Sequence, residues 1–422
     1  MGDPASSRAW RPQGGVGTVL LAAGALAVAI GFAVAKGHQQ EIGSDFAVFW
    51  QAGRNFTSGS PLYHDYLPGA RPFKYPPFAA MVFQLLGFFP LKVAASIFSL
   101  LNLVLWPVSI LLVVKILGHV FPQRNAGLLP LGLAVVFSVQ FWQDNFQHVQ
   151  MNEAVFVLVL LGIHNYLRGK DTAAAASFVA ATAIKVTPVF FLAWLLIRGR
   201  RRALVAAVVL GLAAIAVPLL FRGPATGVAD LAEYYQGFLA AQPGAKGCSY
   251  QSCQDLGAMV TRMMQPSENP EHLDYQYLAA GAETERITYL ALWAAVLLLY
   301  LATLVRLRLR NAPLSALEFG LPILAGLLLS PITFKAHLVS LLFVYSSFLA
   351  IRPAMLSPLA RRAAMVITLA IAVTGLAGRD LVGTTLASYV SGYSLFVWTV
   401  LLLFLFVVAQ GGNERLSGPG PG

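Results

Sequence analysis

Charge is scarce in this chain: Asp, Glu, Lys and Arg make up 11% of its 422 residues, where a soluble domain carries about 25%. With 57% hydrophobic residues, that scarcity excludes a soluble globular protein and leaves a polytopic membrane protein. The apolar runs also lack period-2 alternation, which excludes a closed barrel and leaves helices, the other fold that satisfies its backbone in lipid. No P-loop, no GxGxxG opening a helix, no HExxH and no DxD triplet occurs, so no motif supports a nucleotide-sugar donor, a cofactor or an essential metal. Cysteine is limited to Cys248 and Cys253. In an oxidising compartment that pair suits a small disulfide better than a metal site. No fixed-period repeat is visible, and no gap between apolar runs exceeds residues 222–286.

The net charge of +11 does not point to nucleic acid. Lys and Arg gather at the ends of apolar runs, which is the positive-inside pattern of membrane proteins. Residues 1–15 read as a disordered cytoplasmic tail and 411–422 as a second tail, with one transmembrane domain over 16–410. Arg8 and Arg11 set the start of the first helix in the cytoplasm, so the polar, aromatic loop 37–77 falls outside. Within it Phe46, Phe49, Trp50, Ala52 and Phe56 recur at helical spacing, predicting a short amphipathic helix in the headgroup layer with Asp45 at its N-cap or first turn. Residues 78–117 hold either one crossing with a re-entrant piece or three short crossings.

Residues 172–197 carry Lys185 near their middle. A Lys at the bilayer centre costs about 3 kcal/mol or more, so two short helices with Lys185 at an outer turn are expected there. Such counting gives about twelve crossings; the membrane expected is the bacterial inner (plasma) membrane. It also gathers Asp45, Lys74, Gln150, Asn152, Lys185, the cysteine loop, Lys335 and His337 on the extracytoplasmic face.

A single carboxylate among several cations suits one chemistry. Moving a sugar from a polyprenyl phosphate to a hydroxyl needs a base for the acceptor and donors for the departing phosphate. Glycoside hydrolysis instead uses two facing carboxylates. Asp45 is the candidate base, or else a plain helix cap. Lys185, His337 and Lys335 are candidate phosphate ligands; an ordinary membrane-surface turn would also carry the last two. Lys74, Tyr75, Gln150, Asn152 and Trp50 are candidates for sugar or acceptor contacts, Gln150 and Asn152 serving equally as helix caps. The partners expected are a polyprenyl-phosphate sugar, a lipid-linked or glycan acceptor, and membrane lipid. A transporter or flippase of lipid-linked saccharides is the alternative; it would place its polar groups near the midplane in paired repeats.

The motifs resemble those of glycosyltransferase family 87, over residues 40–350 or so. Asp45, Phe49, Ala52, Gly59 and Tyr63 match that family's first-loop signature, and Tyr75-Pro76-Pro77 its close. A Gly-Gln-x-Asn turn corresponds to Val149-Gln150-Met151-Asn152, where the glycine is absent. Lys185-Val186-Thr187-Pro188 matches a Lys-x-x-Pro element, and Ser330-Pro331 with His337 a Ser-Pro-to-His element. This resemblance implies a GT-C fold with a catalytic Asp in the first outer loop, a polyprenyl-phosphate donor (mannose being the first choice of sugar), inversion at the anomeric carbon, and His337 on the donor phosphate. In GCSYQSCQDLG, residues 247–257, Gln251-Ser252 stands where an Asn-x-Ser element is expected, which bears on acceptor recognition.

Overall fold

Helix boundaries in the computed structural model fall where proline, glycine or charge interrupts the apolar runs. Residues 16–64, 67–121, 128–239, 250–267 and 274–413 are described, side chains from residue 23 onward. The expected tails lie outside them, apart from 411–413. Helices account for every regular element among the described residues, beyond an isolated bridge between Cys253 and Phe334. In order they are α1 (Val16–His38), α2 (Asp45–Ser58), α3 (Pro77–Gly87), α4 (Leu91–Val120), α5 (Leu128–Gln147), α6 (Asn152–Leu167), α7 (Asp171–Ile184), α8 (Val189–Arg198) and α9 (Arg201–Arg222). There follow α10 (Pro224–Tyr234), α11 (Leu256–Met264), α12 (Ala282–Leu309), α13 (Ala316–Leu329), α14 (Leu341–Leu349), α15 (Pro358–Leu376), α16 (Arg379–Gly392) and α17 (Leu395–Gln410).

Among the described residues, α4, α9, α12 and α15 are each long and apolar enough to cross a membrane, and α16 with α17, bent by 55°, makes a fifth candidate. This is an integral membrane protein. The full-length spans are fewer than the twelve crossings counted from sequence. Several apolar runs form helices of 10–17 residues, among them α6, α7, α8 and α13, short of the ~20 that a straight crossing needs.

Two ambiguous stretches resolve. Residues 78–117 form the short α3 and the 30-residue α4, through which Pro107 passes without ending the helix. Lys185 ends α7 in an extended conformation, and α8 starts four residues later, the break expected from the cost of a mid-bilayer Lys. The long 222–286 segment contains α10 and α11.

The amphipathic helix α2 forms as its spacing requires, capped by Ser44, whose side chain accepts from the Ala47 N–H. Its environment differs from expectation. Phe46, Phe49, Trp50 and Phe56 are buried within the protein, in a cluster with Phe83, Phe98, Val149 and Met151. The cause is α3, which folds back on α2 along glycines: a Cβ at Gly53 would lie 2.4 Å from the Phe83 carbonyl oxygen, and one at Gly87 would lie 3.0 Å from the Arg54 nitrogen. At the far end of α2, Arg222 bonds Asp230 (2.8 Å) and the carbonyls of Asn55 and Ser60 (2.8 Å each). That buried clamp fixes the helix to α9 and α10.

A second clamp holds the opposite end of the bundle. Arg198 meets Glu318 at 2.8 Å with both side chains buried, and the Trp194 indole donates to the same carboxylate at 2.9 Å. Arg200, paired with Asp171 at 2.6 Å, belongs to that end. Helix α7 runs from there to Lys185, so its 14 residues separate the two polar layers by about 20 Å.

If backbone contact at Gly53 places α2, then Gly53→Ala forces Phe83 to move and should lower stability by about 1–3 kcal/mol, the range for overpacking. Thermal unfolding of the purified protein reads this. An unchanged midpoint would mean that α2 is not held there.

Candidate functional site

Asp45 is the first residue of α2, where a carboxylate complements the helix dipole. Its Oδ2 accepts from Gln150 Nε2 at 2.6 Å, and its Oδ1 pairs with Arg71 Nη1. With side-chain exposures of 63% for Arg71 and 23% for Asp45, this pair contributes at most about 1 kcal/mol. Tyr75 is the next neighbour. Burial first, and then the charge of Asp45, push its phenol above the ordinary range. The Tyr75 carbonyl accepts from the Tyr63 hydroxyl at 2.7 Å.

Gln150 reaches Asp45 from the turn between α5 and α6. The Gln150 N–H donates to Asn145 O at 2.9 Å, and its carbonyl accepts from Asn102 Nδ2 on α4 at 3.1 Å. Val149 sits in the left-handed region at φ 49°, a position that strains a β-branched residue. This is the place where the resemblance has glycine. Here a fully buried Val side chain in the α2–α4 cluster holds the conformation instead.

The same turn carries Asn152, whose Oδ1 accepts from Lys185 Nζ. Asn152, Lys185, Thr333, His337 and Ser340 line a cavity of about 60 Å³. The buried Gln150 Oε1 and Asn152 Nδ2 have no protein partner, so each retains capacity for a ligand. His337 lies in the 3-10 turn Lys335–Ser340, where its Nδ1 accepts from the Phe334 N–H at 3.3 Å. A backbone hydrogen bond with Ile332 also acts on this imidazole. Lys185 is close enough for its charge to act on this imidazole. Lys335 stands 5.0 Å above the Phe396 ring, within charge–charge range of Asp144 and Arg379. Asp144 in turn interacts with His148, Lys335 and Asp45. A chain of neighbours therefore runs from Asp45 through Gln150, Asn152 and Lys185 to His337, and returns through Lys335 and Asp144.

Two other candidate contacts have different surroundings. Trp50 is a packing residue: its indole donates to Phe89 O at 2.9 Å, with Arg54 over its ring, because α3 covers the face assigned to headgroups. Lys74 is exposed, and the cation that reaches Asp45 is Arg71, three residues earlier. Sequence reasoning missed Arg71, Asp144 and Arg379. Asp144 had a signal, as the acid opposite His148 at i+4 in the polar run 143–153.

Cys253 is buried in a segment stitched to the residues just before Lys335; Cys248, its expected partner, lies outside the described residues. Asp255 caps α11 through Ala258 N (2.8 Å) and accepts from Thr333 N (3.3 Å). Burial pushes its carboxyl up to about 6. Arg262 ties the carbonyls of Tyr250 and Cys253 to Ser394. Gln251, from the departing Gln251-Ser252 element, donates to the Tyr275 hydroxyl at 2.9 Å.

A buried Lys kept for ligand binding gives the fold little. Replacing it by an apolar residue of similar length, Lys185→Met, should shift stability by no more than about 1 kcal/mol. A drop of several degrees in thermal midpoint would make Lys185 a structural residue.

Compared with known proteins, residues 73–331 match the family model of glycosyltransferase family 87. The matched span contains Tyr75, Gln150, Asn152 and Lys185. It starts after Asp45 and ends before Lys335 and His337. A search of curated proteins finds no match to the chain.

Proposed function

The chain belongs to glycosyltransferase family 87, and from that premise we propose that it moves a monosaccharide, mannose as first choice, from a polyprenyl phosphate to a hydroxyl of a lipid-linked or glycan acceptor. The observation that carries this reading is the Val149–Asn152 turn. One of its amides bonds the Asp45 carboxylate (2.6 Å) and the other accepts from the Lys185 ammonium.

In the proposed step Asp45 takes the proton of the acceptor hydroxyl. The acceptor oxygen attacks the anomeric carbon from the face opposite the phosphate, the C1–O bond to phosphate breaks, and the configuration inverts. Polyprenyl phosphate departs with the bonding electron pair. Lys185 and the His337 imidazole receive its charge, and Lys335 adds a second cation. The phosphate leaves as a stable anion, so it needs these donors and no general acid. Gln150 fixes the carboxylate, Asn152 orients the ammonium, and Tyr75 and Lys74 are read as contacts to sugar or acceptor.

This reading puts the site on the extracytoplasmic face of a bacterial inner membrane, with the Arg198–Arg200 layer inside. The shorter apolar helices are read as broken crossings of a GT-C bundle.

Removing a general base typically costs a hundredfold to ten-thousandfold, roughly. Asp45→Asn should therefore lose sugar transfer by at least about a hundredfold while the protein elutes and binds lipid as before. The assay supplies polyprenyl-phosphate mannose labelled in the sugar, with a membrane lipid extract as acceptor. Undiminished transfer by the variant contradicts the assignment. Movement of the labelled lipid across the bilayer with no glycosidic bond formed would identify a flippase instead.

A further inference from the structure

Both oxygens of the Asp45 carboxylate are engaged, one by Gln150 and the other by Arg71. A carboxylate so occupied is a poor proton acceptor, and one of the two partners has to leave before a hydroxyl takes its place. Gln150 is buried, with its backbone bonded to Asn145 and Asn102. The Arg71 side chain is 63% exposed.

The backbone before Arg71 packs closely against the segment before Asp45, whereas the Arg71 side chain is exposed. Gly43, two residues before Asp45, has φ +100°, and a Cβ there would lie 2.9 Å from the Gly69 carbonyl oxygen. Gly69 itself has φ +79°, in a turn closed by Ala70 N to Leu67 O at 2.9 Å. Two glycines in direct backbone contact thus hold the segment before Arg71 against the segment before Asp45. Pro72 restricts it on the other side. The movable part is the guanidinium, swinging about an anchored Cα.

We infer that Arg71 is exchanged between the base and a substrate phosphate: it caps Asp45 until a phosphate-bearing lipid arrives, then binds that phosphate and releases the carboxylate. The inference rests on the transferase reading above. An exposed, single-oxygen ion pair is weak, whereas guanidinium and phosphate match in a bidentate fork, so the exchange runs toward the substrate. The consequence is selectivity for the nucleophile. Where the releasing phosphate is the acceptor's, Asp45 stays capped beside a bound donor until the acceptor is seated, so water is not deprotonated next to the anomeric carbon and the donor is spared hydrolysis to free sugar and polyprenyl phosphate.

The test uses the full chain in nanodiscs with sugar-labelled polyprenyl-phosphate mannose and membrane lipid extract, scoring transferred and free mannose. Arg71→Gln should raise the KM of one lipid substrate at least fivefold. A rise for the donor identifies the donor's phosphate as the ligand, and a rise for the extract identifies an acceptor phosphate. If the acceptor phosphate is the ligand, the ratio of free to transferred mannose at saturation should also rise at least fivefold with kcat within about twofold of wild type, a pattern that a packing role does not produce. Arg71→Lys should fall between the two, which guards against a folding defect in the glutamine variant. Unchanged KM for both substrates together with an unchanged product ratio overturns the inference, as does loss of kcat at saturation with the ratio unmoved. Asp45→Asn run in parallel separates the two claims: if it stays active, the transferase reading itself fails.

Discussion

One tight turn governs the polar end of this protein. Val149–Asn152 directs two amide side chains apart, one to a carboxylate on α2 and one to an ammonium at the α7–α8 break. The turn depends on a left-handed Val149, a conformation that costs a residue other than glycine about 1–3 kcal/mol. Burial of the Val side chain and the bonds to Asn102 and Asn145 offset that cost. Strain of this kind survives where the surroundings over-determine the backbone, and such places are disproportionately functional.

Around the turn the scaffold is rigid for identifiable reasons. Arg222–Asp230 grips one end of α2, glycines let α3 lie against its side, and Arg198–Glu318 locks the opposite layer of the bundle. Each of these buried cations is matched by an acid and by carbonyls. At the site the balance is different: Lys185 has a neutral amide as its bonded partner. In the proposed mechanism an ammonium without an acid partner is the group that meets the departing phosphate.

The sequence made the site's skeleton readable where a residue was energetically out of place. Lys185 in an apolar run forces a helix break, and aromatic spacing after Asp45 forces a helix with that acid at its start; both follow from local physics. Trp50 was misread because helical periodicity identifies the apolar face without saying whether lipid or protein covers it. Arg71 was beyond reach, since its approach to Asp45 depends on a backbone contact between glycines 26 residues apart (69 − 43). Asp144 lies in the polar run 143–153, where nothing local links it to Lys335. The count of about twelve crossings exceeds the four or five full-length spans among the described residues because several apolar runs are cut into helices of 10–17 residues. The missing glycine at 149 was visible, and the fold keeps the backbone shape that such a glycine would adopt.

In the proposed enzyme the Asp45 carboxylate and the cavity at Lys185 and His337 face one another across that turn, and the cavity takes the donor phosphate. A cryo-EM structure with a non-transferable phosphonate analogue of a polyprenyl-phosphate sugar measures this most directly. The proposed mechanism requires the phosphonate within hydrogen-bonding distance of Lys185 Nζ and the His337 imidazole, with the anomeric carbon turned toward Asp45. Density for the phosphonate in the Arg198–Arg200 layer, about 20 Å away along α7, would contradict it.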